Sequence, residues 1–140
     1  MNKVAVIFWS GTGNTEAMAK AVVKGAQGAG AAAQLFSVSD YSVSQTAQYD
    51  AFALGCPAMG SESLEDSEFE PVFDSIKDSL AGRKVALFGS YGWGDGEWMR
   101  NWESDCADAG ITLACESVIC NDAPDDEAIE SCKALGAALA

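Results

Sequence analysis

Five short apolar runs recur along the chain, at residues 4–9, 32–38, 51–56, 85–90 and 113–120, with amphipathic segments between them. The first four do not alternate polar and apolar residues. They predict strands covered on both faces. Residues 15–28 place Met18, Ala21, Val22 and Gly25 on one helical face. Residues 67–80 gather Phe69, Val72, Phe73, Ile76 and Leu80 at helical spacing. Residues 97–109 carry Trp98, Met99, Trp102 and Cys106. Residues 125–139 carry Ile129, Cys132, Leu135, Gly136 and Leu139, behind Pro124 and an acid-rich start. The polar stretch 39–49 fits a loop or one short helix. Strands that alternate with crossover helices imply an α/β fold, with a parallel sheet and helices on both faces. A length of 140 residues fits a single domain, 1–140.

Composition narrows the setting. Hydrophobic residues make up 49% of the chain, enough for a sizeable core. No apolar run approaches the roughly 18–20 residues of a membrane span. The start, MNKVAVIFWSG, turns polar too soon for a signal peptide and reads as a first buried strand. Five cysteines without a Cys-x-x-Cys pair point to reduced thiols in a cytoplasm. The chain has no histidine, which removes a His-based metal site and a Ser-His triad. The net charge of -13 repels nucleic acid and anionic membranes, and suits basic patches on protein partners as well as plain solubility.

In parallel α/β sheets, ligands bind beyond the carboxyl ends of the strands. Three glycine-bearing loops fall there, at 10–15, 57–63 and 91–96. The first reads SGTGNT. It lacks the lysine of a Walker loop, and Glu16 stands where a dinucleotide fingerprint wants its third glycine. What remains is a neutral cradle. Backbone N–H groups of Gly11 and Gly13, the start of a helix, the hydroxyls of Ser10, Thr12 and Thr15 and the amide of Asn14 would together hold an anion.

SGTGNTE after the first strand, PAMGSE at 57–62 and SYGWGDGEW at 90–98 together resemble the short-chain flavodoxins. The resemblance spans essentially the whole chain, and residues 111–121 leave no room for the insertion that splits the last strand of long-chain members. It implies a flavodoxin-like three-layer fold with strand order 2-1-3-4-5, flavodoxins being the type case of that order. It implies FMN as cofactor, its phosphate in the neutral cradle. Met59 and Trp93 would sandwich the isoalloxazine ring, flanked by Pro57, Ala58, Gly60, Tyr91, Gly92 and Gly94. Ser90 would add a hydroxyl near the ribityl chain or phosphate. Where some relatives place a serine hydroxyl near the phosphate, this chain has Pro57. The Gly60–Ser61 peptide would flip so that the Gly60 carbonyl accepts the proton gained at flavin N(5), and Glu62 would accept from N(3)–H. Asp95 and Glu97 have weaker claims on the site.

The function so implied is a low-potential one-electron carrier, shuttling between semiquinone and hydroquinone. It would be a monomer that meets basic redox donors and acceptors in transient complexes and binds neither nucleic acid nor membrane. A second reading is an FMN-dependent NAD(P)H or quinone reductase on the same fold. That enzyme needs a second pocket over the flavin and a basic cluster for the nucleotide phosphate, and no such cluster stands out. A third, a signalling receiver module, wants acidic residues after the first strand, where Ser10 and Gly11 stand.

Overall fold

A computed structural model of the chain describes residues 2–59, 63–92 and 94–140. The expected alternation is present. β1 (Lys3–Phe8), α1 (Asn14–Gly28), β2 (Ala32–Ser37) and β3 (Ala51–Gly55) are followed by α2 (Phe69–Ile76), β4 (Lys84–Tyr91), α3 (Glu97–Asp108), β5 (Val118–Asn121) and α4 (Asp126–Leu139). All strand pairs are parallel, and the order across the sheet is β2-β1-β3-β4-β5. This is the three-layer arrangement expected from the sequence.

Strand alternation sorts the core into two halves. Val4, Val6 and Phe8 of β1 point toward α1 and α4, with Ala51, Ala53, Ala86 and Phe88. Ala5 and Ile7 point the other way, with Phe52, Leu54, Val85 and Leu87, toward α2 and α3. The α1/α4 side is built from small residues, so its helices come close. A Cβ on Gly25 would sit 1.9 Å from the Lys133 carbonyl oxygen, and one on Gly136 would sit 2.0 Å from that of Val22. Both glycines are there because two backbones meet. The other side is filled by large rings. Trp98 and Trp102 are fully buried, and Trp102 meets Phe69 and Phe73 edge-on at 5.4 and 5.9 Å.

Several local expectations are corrected. The run 32–38 was read as a doubly covered strand, but β2 is a sheet edge and only Phe36 in it is buried. Gln34 and Ser37 interrupt its apolar character; Ala32 and Gln34 are exposed, and Ala33 and Leu35 are only half-buried. The run 113–120 is not one strand. Leu113 makes a single bridge to Val85, and pairing resumes at Val118. Between them Glu116 is exposed, and the Ser117 hydroxyl donates to Glu103 at 2.7 Å, so polar side chains pull the backbone off the sheet. The helix read at 67–80 is α only to Ile76 and tightens to a 3-10 turn over Lys77–Leu80. The ambiguous stretch 39–49 forms two 3-10 turns, Val38–Asp40 and Val43–Gln48. Arg83 ties the second one down by donating to the carbonyls of Thr46, at 2.8 Å, and Tyr49.

Candidate functional site

The carboxyl ends of β1, β3, β4 and β5 open into one cleft of about 280 Å³. Backbone ladders continue past the strand ends to shape it. Trp9 N–H donates to Gly55, Cys56 N–H to Phe88 and Ala58 N–H to Ser90, at 3.0, 3.2 and 3.0 Å. These bonds carry the first two loops to one height above the sheet.

The loop after β1 supplies the floor. Gly13 holds φ at 96°, a conformation that favours glycine, and turns the chain directly into α1. The Ser10 hydroxyl accepts from Gly13 N–H at 3.0 Å and so pins the turn. No side chain caps α1, so the N–H groups of its first turn have no intrahelical partner. Gly11, Thr12 and Asn14 line the cleft. Thr15 does not. It is buried, 1% exposed, and its hydroxyl pairs with that of Ser90 at 3.3 Å, locking the first loop to the end of β4. Ser90 itself reaches the cleft wall.

Pro57, Ala58 and Met59 form one side wall, and Tyr91 and Gly92 another. Gly94, at φ 84°, lies outside the lining, as do Ser10 and Gly13. Gly60, Ser61, Glu62 and Trp93, to which the sequence reading gave the N(5) and N(3) contacts and one face of the ring, lie outside the described residues. Asp95 is exposed and pairs with Arg100 at 3.0 Å, and Glu97 starts α3.

Two lining residues escaped the sequence reading. Trp9 was counted as the last residue of a strand, yet its indole lies against the first loop. A Cβ on Gly11 would come 3.0 Å from the ring, and Trp9 Nε1 donates to Glu68 at 3.3 Å. Asp122 follows β5 as the other loops follow their strands, and that position was its signal. It is the one non-glycine of positive φ among the described residues, at 56°. Its N–H donates to the Tyr91 carbonyl at 2.8 Å, and the amide of Asn121 reaches the same oxygen at 3.3 Å. Asp tolerates this backbone better than most residues do, and its carboxylate ends beside Gly92.

Electrostatically the cleft is neutral to acidic. No Lys or Arg lines it among the described residues. At the far end of the segment that begins with the Pro57–Met59 wall, Glu65 is a buried carboxylate. Burial opposes its charge. The Ser67 hydroxyl and the N–H groups of Phe69, Glu68 and Ser67 outweigh that cost and hold its pKa at about 2. Glu65 thereby satisfies the start of α2. We expect Glu65→Ala to lower stability by about 2 kcal/mol at neutral pH, as the loss of a multiply bonded cap should. Its folded pKa lies below the unfolded value of 4.5, so the contribution is complete above pH 4.5 and fades as pH falls toward 2. Urea unfolding at pH 7 and pH 3 checks this: the gap between wild type and variant should narrow at pH 3.

The family model for flavodoxins matches residues 6–136. A flavodoxin from Megasphaera elsdenii is 47% identical over 137 residues, covering 98% of each chain. The chain belongs to the flavodoxin family. A flavodoxin from Clostridium beijerinckii is 44% identical over 135 residues, covering 96% of this chain and 97% of that one. The solution structure of two-electron reduced Megasphaera elsdenii flavodoxin superposes with a TM-score of 0.89, covering 97% of both chains. A flavodoxin from the domain Archaea, 27% identical, gives a TM-score of 0.85, with 98% of this chain covered and 95% of that one.

A flavodoxin is a low-potential one-electron transfer protein that carries FMN, and the donor set here fits that group. The floor offers N–H and hydroxyl donors at the uncapped start of α1, as a phosphate needs, and the one acid of that first turn, Glu16, lies outside the lining and pairs with Lys20 at 3.5 Å. The walls offer a thioether and aromatic surface to a flat polarizable ring. When bound, FMN supplies the redox chemistry. The lining residues would orient it, shield it and set its electrostatics, and as a member of this family the protein is an electron carrier and not an enzyme.

Proposed function

We propose that this flavodoxin holds the phosphate of FMN in the 10–15 loop and the ring between the 57–62 and 90–94 loops. In that role it would serve as a cytoplasmic, monomeric, single-domain shuttle between redox proteins that present basic patches. The observation that carries the reading is the neutral donor loop at the uncapped start of α1, opening into the cleft bounded by Met59 and Tyr91. Ser10, Gly11, Thr12, Gly13, Asn14 and Thr15 shape or line the phosphate end. Pro57, Ala58, Met59, Ser90, Tyr91 and Gly92 face the ribityl chain and ring, and Gly60, Ser61, Glu62, Trp93 and Gly94 complete the ring's surroundings.

The absence of a base along the described lining has a redox consequence. A cation beside the flavin would stabilise a negative charge on the reduced ring and raise its potential, and the Asp122 carboxylate does the opposite. Five free thiols support a reducing compartment. Burial pushes Cys56, Cys106 and Cys132 up to about 12, so they stay protonated and unreactive at neutral pH. No helix among the described residues is long and apolar enough to cross a membrane.

The charge of -13 governs encounters. Salt should slow electron transfer to a basic redox protein, because screening removes the attraction that steers the pair. The same salt should strengthen FMN binding, because it screens repulsion between an acidic protein and a dianion. Stopped-flow rates and flavin titrations across about 0.02–0.5 M salt check both halves, a range over which the Debye length falls severalfold. Partner rates indifferent to salt would reject the steering role.

A further inference from the structure

The segment after β3 is closed by a sulfur. Cys56 is fully buried. Its Sγ accepts from Glu65 N–H at 3.4 Å, and its own thiol faces the Pro57 carbonyl at 3.6 Å. One atom thus joins the two ends of the stretch 57–65. The Cys56 main chain is gripped as well. Trp98 Nε1 donates to its carbonyl at 3.1 Å, and a Cβ on Gly89 would stand 2.2 Å from that same oxygen. At the far end, the Glu65 carboxylate gathers the N–H groups of Ser67, Glu68 and Phe69. Within the stretch, Met59 N–H donates to Ser63 at 3.1 Å. Pro57, Ala58 and Met59, the residues so framed, are a wall of the cleft.

We propose that Cys56 is a positioning residue for flavin binding: its thiol bridges Pro57 and Glu65 and holds the 57–59 wall ready for the ring. The inference rests on FMN occupying this cleft. A wall ordered in advance leaves less freedom to lose on binding, so the bridge adds to affinity without touching the ligand. A protonated thiol suits the role, since it both donates and accepts, and burial keeps it protonated. A hydroxyl can do the same from a shorter reach. An isopropyl group can do neither.

Cys132 provides a matched control. It is equally buried, but lies in α4 on the opposite face of the sheet. The test compares FMN dissociation constants, by fluorescence titration, and visible circular dichroism of the bound flavin in wild type, Cys56→Val, Cys56→Ser and Cys132→Val. Cys56→Val should bind FMN about five- to tenfold more weakly, the scale of one hydrogen bond, and should alter the flavin dichroism. Cys56→Ser should stay within about twofold of wild type, because it keeps the bond. Cys132→Val should match wild type in both readouts. Should Cys56→Val not fold, Cys56→Ala, which removes the sulfur without adding bulk, carries the same expectation. Wild-type affinity in Cys56→Val, or in Cys56→Ala where that variant takes its place, overturns the proposal, and so does equal weakening by Cys132→Val, which would mark a loss of stability alone. A wild-type chain that fails to bind FMN overturns the cleft assignment and this inference with it, whereas tight binding by wild type and Cys56→Val alike overturns only the inference.

Discussion

Riboflavin, which is FMN without its phosphate, should bind this protein about a thousandfold more weakly than FMN does. The cleft floor is the reason. Gly13 turns the chain so that the first N–H groups of α1, left uncapped by any side chain, have no partner within the helix. Thr12 and Asn14 add donors at the same end of the cleft. Each charge-assisted hydrogen bond to the phosphate is worth ~1.5–3 kcal/mol. Losing two or three of them, offset by the easier desolvation of a neutral ligand, leaves about 4 kcal/mol, or three orders of magnitude. The acidic surface works against the dianion, so raising the salt should widen the gap between the two flavins. Fluorescence titration of the protein with each flavin measures both constants directly. Equal constants would mean that the 10–15 loop is only a tight turn that starts a helix.

Much of the fold was legible because burial was nearly complete where the sequence is clearest. β1, β3 and β4 are sandwiched on both faces, and their apolar runs admit no other reading. The helices showed themselves through Met18 and Val22, Phe69 and Phe73, Trp98 and Trp102, Cys132 and Leu135, all buried. The edges were harder. β2 and β5 each lack a neighbour on one side, and an apolar run does not tell an edge strand from a central one. At 113–120 the sequence stays apolar enough for a strand, while Glu116 is exposed to solvent and Ser117 finds its partner, Glu103, outside the sheet. The three glycine-bearing loops were legible as a site because strand ends in a parallel sheet share one edge. Trp9 was missed because an aromatic at a strand end looks like core. Asp122 was missed because the loop after the last strand carries no glycine, although its position beyond a strand end matches that of the other three loops. Cys56 closes the third apolar run and looks like part of it, and only its two distances, to Pro57 and Glu65, give it another task.

The same glycine-to-alanine change should have opposite signs at two positions of the helical layer. Gly136 sits in α4 where it crosses α1. A Cβ there would lie 2.0 Å from the Val22 carbonyl oxygen and 2.8 Å from Ala26 N, both backbone atoms inside a helix. Neither can rotate away, so the helices must part. Overpacking of this kind costs about 1–3 kcal/mol, and the upper part of that range applies because Val22 and Ala26 are themselves fully buried against the sheet. Alanine's better helix propensity returns at most about 1 kcal/mol. We therefore expect Gly136→Ala to lower stability by about 2 kcal/mol net, or roughly 6–8 °C in Tm for a domain of this size. Gly28 ends α1 with nothing within 4 Å of where its Cβ would be. Gly28→Ala should raise stability by about 0.5–1 kcal/mol through propensity alone. Urea unfolding of the two variants beside wild type measures both shifts. A Gly136→Ala protein as stable as wild type would mean that the α1/α4 contact slides freely, and that the small residues beneath it are not what fixes the distance between these helices.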